Sequence, residues 1–258
     1  MWPRIGPIPT YGVLYHLGIV VHFWVSRRVA RRLGLKRRVW MLVSASYFVG
    51  MIIGAKALYD LRHSHLDLQA LFSLRHYLEG GFWGGLLAYL VLALPLCMLL
   101  TKRRRSACDL VALTIPIPWA LAKVGCLLNG CCYGRPSSLP WAITFPQGPG
   151  PAPAGVPLHP TQVYEIITMV LLLLVFRKLD RERWRGTMLL WFLAIYGLAR
   201  AATDVFRGDT DRYIYLGPIT LTQAASLAGA TLSIVLLVLW ARRNPAAEKT
   251  VGSGPDQG

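Results

Sequence analysis

Seven apolar stretches, separated by polar or basic connections, organise the chain. They run over roughly residues 10–26, 39–59, 82–101, 107–128, 161–176, 187–206 and 219–241. Most approach the length of about 20 residues at which a helix crosses a bilayer core. The fifth is short, and its start reads as an interfacial extension. The pattern predicts an all-α integral membrane protein with about seven transmembrane helices. It predicts one transmembrane domain over residues 1–244, an exterior loop over 135–160 and a disordered tail over 245–258. The loop contains Phe145-Pro-Gln-Gly-Pro-Gly-Pro-Ala-Pro-Ala-Gly-Val-Pro-Leu-His159, whose prolines stiffen it. The tail is polar and carries no apolar period. The first apolar run lacks a basic leader and a small-residue cleavage site, so it reads as a retained span and not as a signal peptide.

Charge fixes the orientation. The chain has 258 residues, 54% of them hydrophobic, and a formal charge of +16. Nineteen of its 28 Lys and Arg residues lie in alternate connections and in the tail, around Arg27–Arg38, Lys102–Arg105, Arg177–Arg185 and Arg242–Lys249. Positively charged loops stay cytoplasmic, which predicts the N-terminus outside and the C-terminus inside. A nucleic-acid partner would not impose alternation in step with the spans, so no nucleic acid is expected. The basic excess instead favours a bilayer with anionic lipid.

Polar residues inside the runs converge on one level. At 1.5 Å rise per residue, Lys123, Arg200 and Lys56 stand roughly 24, 20 and 25 Å above the inner ends of their spans. Tyr11, Trp83, Asn129, Arg135, Glu165, Asp204 and Arg207 fall near outer ends as well. Intramembrane charges need partners or a water-filled cavity. Asp204 is four residues after Arg200 and three before Arg207, within reach of either on one helix face, and Glu165 is a second partner. Cations outnumber carboxylates within or close to the spans, which points to an anionic ligand such as a lipid phosphate, and arginine's fork of donors suits it. Blander readings stand beside this one: Lys56 snorkelling to the interface, a structural Lys123, and an Arg200–Asp204 pair that merely ties helices.

Several separated motifs, in order, carry a family resemblance. They are Lys123-Val-Gly-Cys-Leu-Leu-Asn-Gly-Cys-Cys-Tyr-Gly-Arg135 with Pro140-Trp-Ala-Ile-Thr-Phe-Pro146, then His159-Pro-Thr-Gln-Val-Tyr-Glu165, and Tyr196-Gly-Leu-Ala-Arg200 with Asp204-Val-Phe-Arg207. Gly80-Gly-Phe-Trp-Gly-Gly-Leu86 belongs with them, as do Tyr11-Gly12 and Gly54-Ala-Lys56. Together these resemble the prolipoprotein diacylglyceryl transferases over nearly the whole chain. The resemblance implies a bacterial cytoplasmic (inner) membrane enzyme, multi-pass, that moves the diacylglyceryl group of phosphatidylglycerol to the lipobox cysteine of a preprolipoprotein signal peptide. A thioether forms and glycerol-1-phosphate leaves. No metal or organic cofactor is implied. Arg200, Lys123, Asn129 and Asp204 then fall in the catalytic set. Tyr11, Lys56, Gly130, Gly134, Arg135, His159, Gln162, Tyr164, Glu165, Tyr196 and Arg207 fall in the substrate-binding set.

The chain departs from the family pattern at defined places. Lys123 stands for an arginine, Cys126 for an asparagine, Cys131-Cys132 for Glu-Leu, Trp83 for a histidine and Asp204 for a glutamate. Of the five cysteines, Cys97 and Cys108 read as buried filler near the inner face. Cys126, Cys131 and Cys132 admit four readings: small packing residues, a metal set with His159, a Cys126–Cys131 bridge, and a reactive thiol activated by Lys123. Two further functions stay open, a relative that uses the same lipid pocket with another acceptor and a non-catalytic lipid-binding membrane protein.

Overall fold

Each predicted apolar run is helical where the structure describes it. The structure, a computed structural model, describes residues 4–5, 8–54, 57, 82–148, 150–179, 184, 186–209 and 215–244. Expectations for Lys56, for Gly80 and Gly81, for the side chain of Trp83 and for the tail over 245–258 lie outside the described residues. The described helices are α1 (Thr10–Arg32), α2 (Arg37–Val49), α3 (Phe82–Leu99), α4 (Arg104–Thr114), α5 (Pro116–Asn129), α6 (Thr161–Leu179), α7 (Met188–Val205) and α8 (Leu221–Arg243). Short antiparallel hairpins join some of them: β1 (Arg4–Ile5) with β2 (Ile8–Pro9), β3 (Ile143–Thr144) with β4 (Pro157–Leu158), and β5 (Tyr215–Leu216) with β6 (Ile219–Thr220). Among the described residues, three helical segments are long and apolar enough to cross a membrane: Arg104–Asn129, Met188–Val205 and Leu221–Arg243. Gly84–Leu99 is a shorter apolar helix.

Two runs predicted as single spans are interrupted, each for a local reason. The fourth breaks between α4 and α5, where Pro116 and Pro118 lack the N–H groups that the Ala112 and Thr114 carbonyls would accept. The second passes from α2 into a π turn over Gly50–Gly54. Both glycines of that turn meet α3 closely: a Cβ on Gly50 would collide with the Tyr89 backbone, and one on Gly54 with Ala88 and Gly84. Small residues let helix backbones approach in this way. Gly197 does the same for α7 against Ser226 and Ala230 of α8, and Gly125 for α5 against Tyr11 of α1.

Large apolar side chains such as Val20, Leu87, Val91 and Leu232 face outward, more than 60% exposed. That exterior suits hydrocarbon better than water. Basic connections gather at one end of the helices. Arg28 sits 3.3 Å from the Trp24 ring centroid and Arg105 4.4 Å from that of Trp240, an arginine–tryptophan arrangement suited to a headgroup level. At the same end Asp109, buried on α4, caps α7 across sequence. Its Oδ1 accepts from the Met188 N–H at 2.9 Å and its Oδ2 from the Gly186 N–H at 2.5 Å. A carboxylate at a helix N-terminus satisfies orphan donors and meets the positive end of the helix dipole. The next-to-opposite end of α8 is closed locally by a capping box, with Gln223 N–H on Thr220 Oγ1 at 3.0 Å and Thr220 N–H on Gln223 Oε1 at 2.9 Å.

Replacing Asp109 with Ala removes the α7 cap and leaves the buried Met188 N–H and the part-buried Gly186 N–H without it. The expected cost is about 3 kcal/mol of stability, read as a lower unfolding midpoint of the purified protein in detergent. An unchanged midpoint would refute the cross-helix cap.

Candidate functional site

Twelve residues separate Met188, at the basic end of α7, from Arg200, a rise of about 18 Å along the helix. Arg200 therefore lies well away from the basic connections, where α5 and α7 end and α6 begins. Glu165, in the second turn of α6, is the hub there. Its Oε1 lies 3.0 Å from Lys123 Nζ, 3.3 Å from an Arg200 guanidinium nitrogen and 4.0 Å from Arg207. Its Oε2 accepts from the Trp119 indole N–H at 3.0 Å. Lys123 and Trp119 come from α5, Arg200 from α7 and Arg207 from the turn after α7, so one carboxylate ties three segments. All are buried; Glu165 is 2% exposed and Arg200 3%.

Two more carboxylates complete the network. Asp204 pairs with Arg200 at 2.6 Å, the i,i+4 partner foreseen from spacing. Asp209 takes the fork of Arg207, with Nε to Oδ1 at 2.7 Å and a terminal nitrogen to Oδ2 at 2.6 Å. Burial pushes the Asp209 carboxyl above its ordinary range, against the pull of Arg207. The described network thus holds three cations, Lys123, Arg200 and Arg207, against three carboxylates. The surplus of cations expected from the spans is absent from this network, because Asp209 lies beyond the last turn of α7 and restores the balance. Arg135 adds a cation at the exposed rim, its Nε donating to the Arg207 carbonyl at 3.1 Å.

A tight corner holds these groups in place. The Gly134 N–H donates to the His159 carbonyl at 3.0 Å, the Arg135 N–H to Phe206 at 2.8 Å, the His159 N–H to Arg135 at 3.0 Å and the Gly208 N–H to Tyr133 at 3.0 Å. The turn after α5, the start of α6 and the end of α7 are thereby stitched together by backbone. Gly134 admits no side chain, since a Cβ there would strike His159 and the Phe206 carbonyl. Gly130 ends α5 in the left-handed region at φ 74°, where glycine carries no Cβ penalty. Cys132 is also left-handed, at φ 60°, and is the only such non-glycine among the described residues. Thr161 Oγ1 donates to its carbonyl at 2.5 Å, and Gln162 Nε2 donates to the Cys131 carbonyl at 2.7 Å. The first turn of α6 clamps that strained turn.

The remaining predicted residues fall around this centre. Tyr196 lies one turn before Arg200, toward the basic end, its ring 4.6 Å from Trp119. Tyr11 packs on Gly125 and stacks on Tyr15. His159 and Tyr164 form a rim group, with His159 Nδ1 at 3.1 Å from the Tyr164 hydroxyl and the Trp141 indole donating to it at 3.0 Å. Asn129 closes α5, its carbonyl against Gly150. Cys126, Cys131 and Cys132 are free thiols, with sulfur atoms within 4.8 Å of one another. Hydrogen bonds from the other two thiols, with the charges of Lys123 and Arg207, hold the Cys132 thiol well below its ordinary range. The sequence reading missed Trp119, Asp209 and Thr161. Trp119 carried a usable signal, four residues before Lys123 on the same face. Asp209 carried none, because it lies in a turn without helical period.

Comparisons with known proteins point to one family. The profile of the family described as prolipoprotein diacylglyceryl transferase matches residues 3–239. The phosphatidylglycerol–prolipoprotein diacylglyceryl transferase of Geobacter sulfurreducens is 31% identical over 250 residues, covering 90% of this chain and 91% of that protein. The protein of the same name from Nitratidesulfovibrio vulgaris is 30% identical, covering 95% and 98% respectively. That from Finegoldia magna is 25% identical, covering 90% and 91%.

Glu165→Gln keeps the shape of the hub and removes its charge. Three buried cations then lose a shared counter-ion, and the expected loss is about 3–5 kcal/mol. Adding Lys123→Met should restore part of it, since the two sites couple. Unfolding midpoints of the two variants that simply add would refute Glu165 as the shared counter-ion.

Proposed function

Because this chain belongs to the prolipoprotein diacylglyceryl transferase family, we propose that it transfers the diacylglyceryl group of phosphatidylglycerol to the lipobox cysteine thiol of a prolipoprotein. The buried network of Lys123, Arg200 and Arg207 around Glu165 is the observation that carries this reading. In the transfer, the bond from the diacylglyceryl carbon to the phosphate oxygen breaks and a carbon–sulfur bond forms. The thiol proton ends on glycerol-1-phosphate. Negative charge grows on the departing phosphate, so cations fixed in a dry site stabilise the transition state more than the bound lipid.

Each group then has a role. Arg200 meets the phosphate, oriented by Asp204 and Glu165. Lys123 adds a point charge. Arg207 offers a fork that fits two phosphate oxygens, once Asp209 yields it. Asn129, Gly130, Gly134 and Gln162 shape the turn over the lipid headgroup. Arg135, His159, Tyr164 and Tyr11 line the rim where a signal peptide would lie, and Tyr196 backs Arg200. The cysteines stand outside this chemistry, since a thioether formed on one of them is a poor leaving group and would not pass the diacylglyceryl group on.

The topology that serves this chemistry has seven passes through the bacterial inner membrane, with the basic connections cytoplasmic. The network then lies toward the outer leaflet, where exported lipoproteins carry their lipobox. The single domain spans residues 1–244, with the loop over 135–160 outside.

Complementation of a strain depleted of its own transferase tests the activity. The wild-type chain should restore growth and lipoprotein modification. Arg200→Ala should lower the in vitro rate by about 10²–10³-fold, the scale for losing one preorganised donor; failure of well-expressed wild-type protein to rescue would overturn the assignment. Asp209→Asn should lower the KM for phosphatidylglycerol several-fold while Arg207→Ala raises it. A KM indifferent to Asp209 would remove the exchange at the Arg207 fork.

A further inference from the structure

The three thiols that the transfer leaves unused form a site of their own. Cys126 stands in the last turn of α5, and Cys131 and Cys132 follow the Gly130 cap. Their sulfur atoms lie within 4.8 Å of one another, and among the described residues no histidine or carboxylate oxygen joins them at that range. Three thiolates bound at about 2.3 Å to one metal ion in a plane stand about 4 Å apart. The preformed spacing is therefore within about an ångström of a trigonal site. Hard cations want oxygen ligands, and zinc would complete four-coordination with a water or another group. Three sulfurs with no histidine or carboxylate beside them among the described residues suit a soft ion that accepts three-coordination.

We propose that Cys126, Cys131 and Cys132 form a three-coordinate thiolate site for copper(I). Binding leaves three thiolates on copper(I), releasing whatever protons the thiols still hold, and the resulting centre carries two net negative charges. Lys123 and Arg207, whose charges already act on Cys132, lower the cost of that charge while keeping their own carboxylate partners. The left-handed turn at Cys132, clamped by Thr161 and Gln162, keeps two of the sulfurs from splaying apart. The site borders the groups proposed to hold the lipid, sharing Lys123, Arg207 and Gln162 with them, but no thiol takes part in the transfer itself.

The test uses the full-length protein, purified reduced and without oxygen in detergent, with copper(I) supplied from a chromophoric chelator. One copper(I) per chain should transfer to the protein. Cys131→Ser/Cys132→Ser should weaken retention by at least about 100-fold, the scale on which even outer partners of metal ligands act, and Cys97→Ser/Cys108→Ser should bind like wild type. In the wild-type chain, copper(I) should also shield Cys131 and Cys132 from maleimide, read by peptide mass, so the proposal stays open to refutation should the serine variant not fold. Equal retention by the Cys131→Ser/Cys132→Ser variant, zinc(II) binding in place of copper(I), or labelling unchanged by copper would each overturn it.

Discussion

The site depends on one buried carboxylate. Glu165 has two oxygens, and four donors from three segments share them: Lys123, Arg200 and Arg207 about Oε1, and the Trp119 indole on Oε2. Charges this deeply buried survive only with compensation, because desolvation costs several kcal/mol per ion. The helices carrying them must therefore stay in register. α5, α6 and α7 have little freedom to slide without stranding a cation, so the same contact that assembles the fold also positions the phosphate-binding groups of the proposed reaction. An apolar core could have joined these helices at less electrostatic expense. A buried ionic hub makes sense where the cations have a second task.

The corner around Gly134 is the hub's mechanical counterpart. Long apolar helices resist sliding but do not fix where a loop residue stands. Backbone hydrogen bonds between the turn at Tyr133–Arg135, His159 and the Phe206–Gly208 turn do so. The fit is steric as well, since Gly134 and Gly208 approach other backbone too closely for a Cβ. Arg207 leaves α7 at this corner, and Asp209, two residues on, reaches back to hold its fork. A helix-borne arginine such as Arg200 is aimed by helix geometry; Arg207 is aimed by the stitch.

Much of this was legible in the sequence, and the reasons are physical. Helices in an apolar environment announce themselves by length and composition, so all the apolar runs could be placed within a few residues. Arg200–Asp204 followed from helical spacing alone, and the convergence of Lys123, Glu165 and Arg200 followed from counting rise along spans whose direction was expected from charge. Two kinds of fact stayed hidden. Interruptions within a run, such as the break before Pro116 and the π turn at Gly50–Gly54, depend on what the neighbouring helix presents as much as on local composition. Partners supplied by turns carry no period: Asp209 takes the Arg207 fork and balances the Lys123–Arg200–Arg207 network. Charge counts restricted to helices overestimate what a site leaves unbalanced, because the residues that balance it can sit just past a helix end.

The departures from the family pattern also fit together once the hub is known. A lysine at 123 brings a compact charge to an oxygen already approached by two guanidinium groups, where a third planar fork would compete for the same lone pairs. Lys123 makes one short contact, and Trp119, one turn below, takes the second oxygen that a fork would otherwise reach. Cys126, Cys131 and Cys132 gather beside this hub, with the Cys132 thiol within the influence of Lys123 and Arg207. The hub keeps its charge, and the contact at position 123 is made at one point, which leaves the neighbouring thiols as soft ligands at the edge of an ionic network.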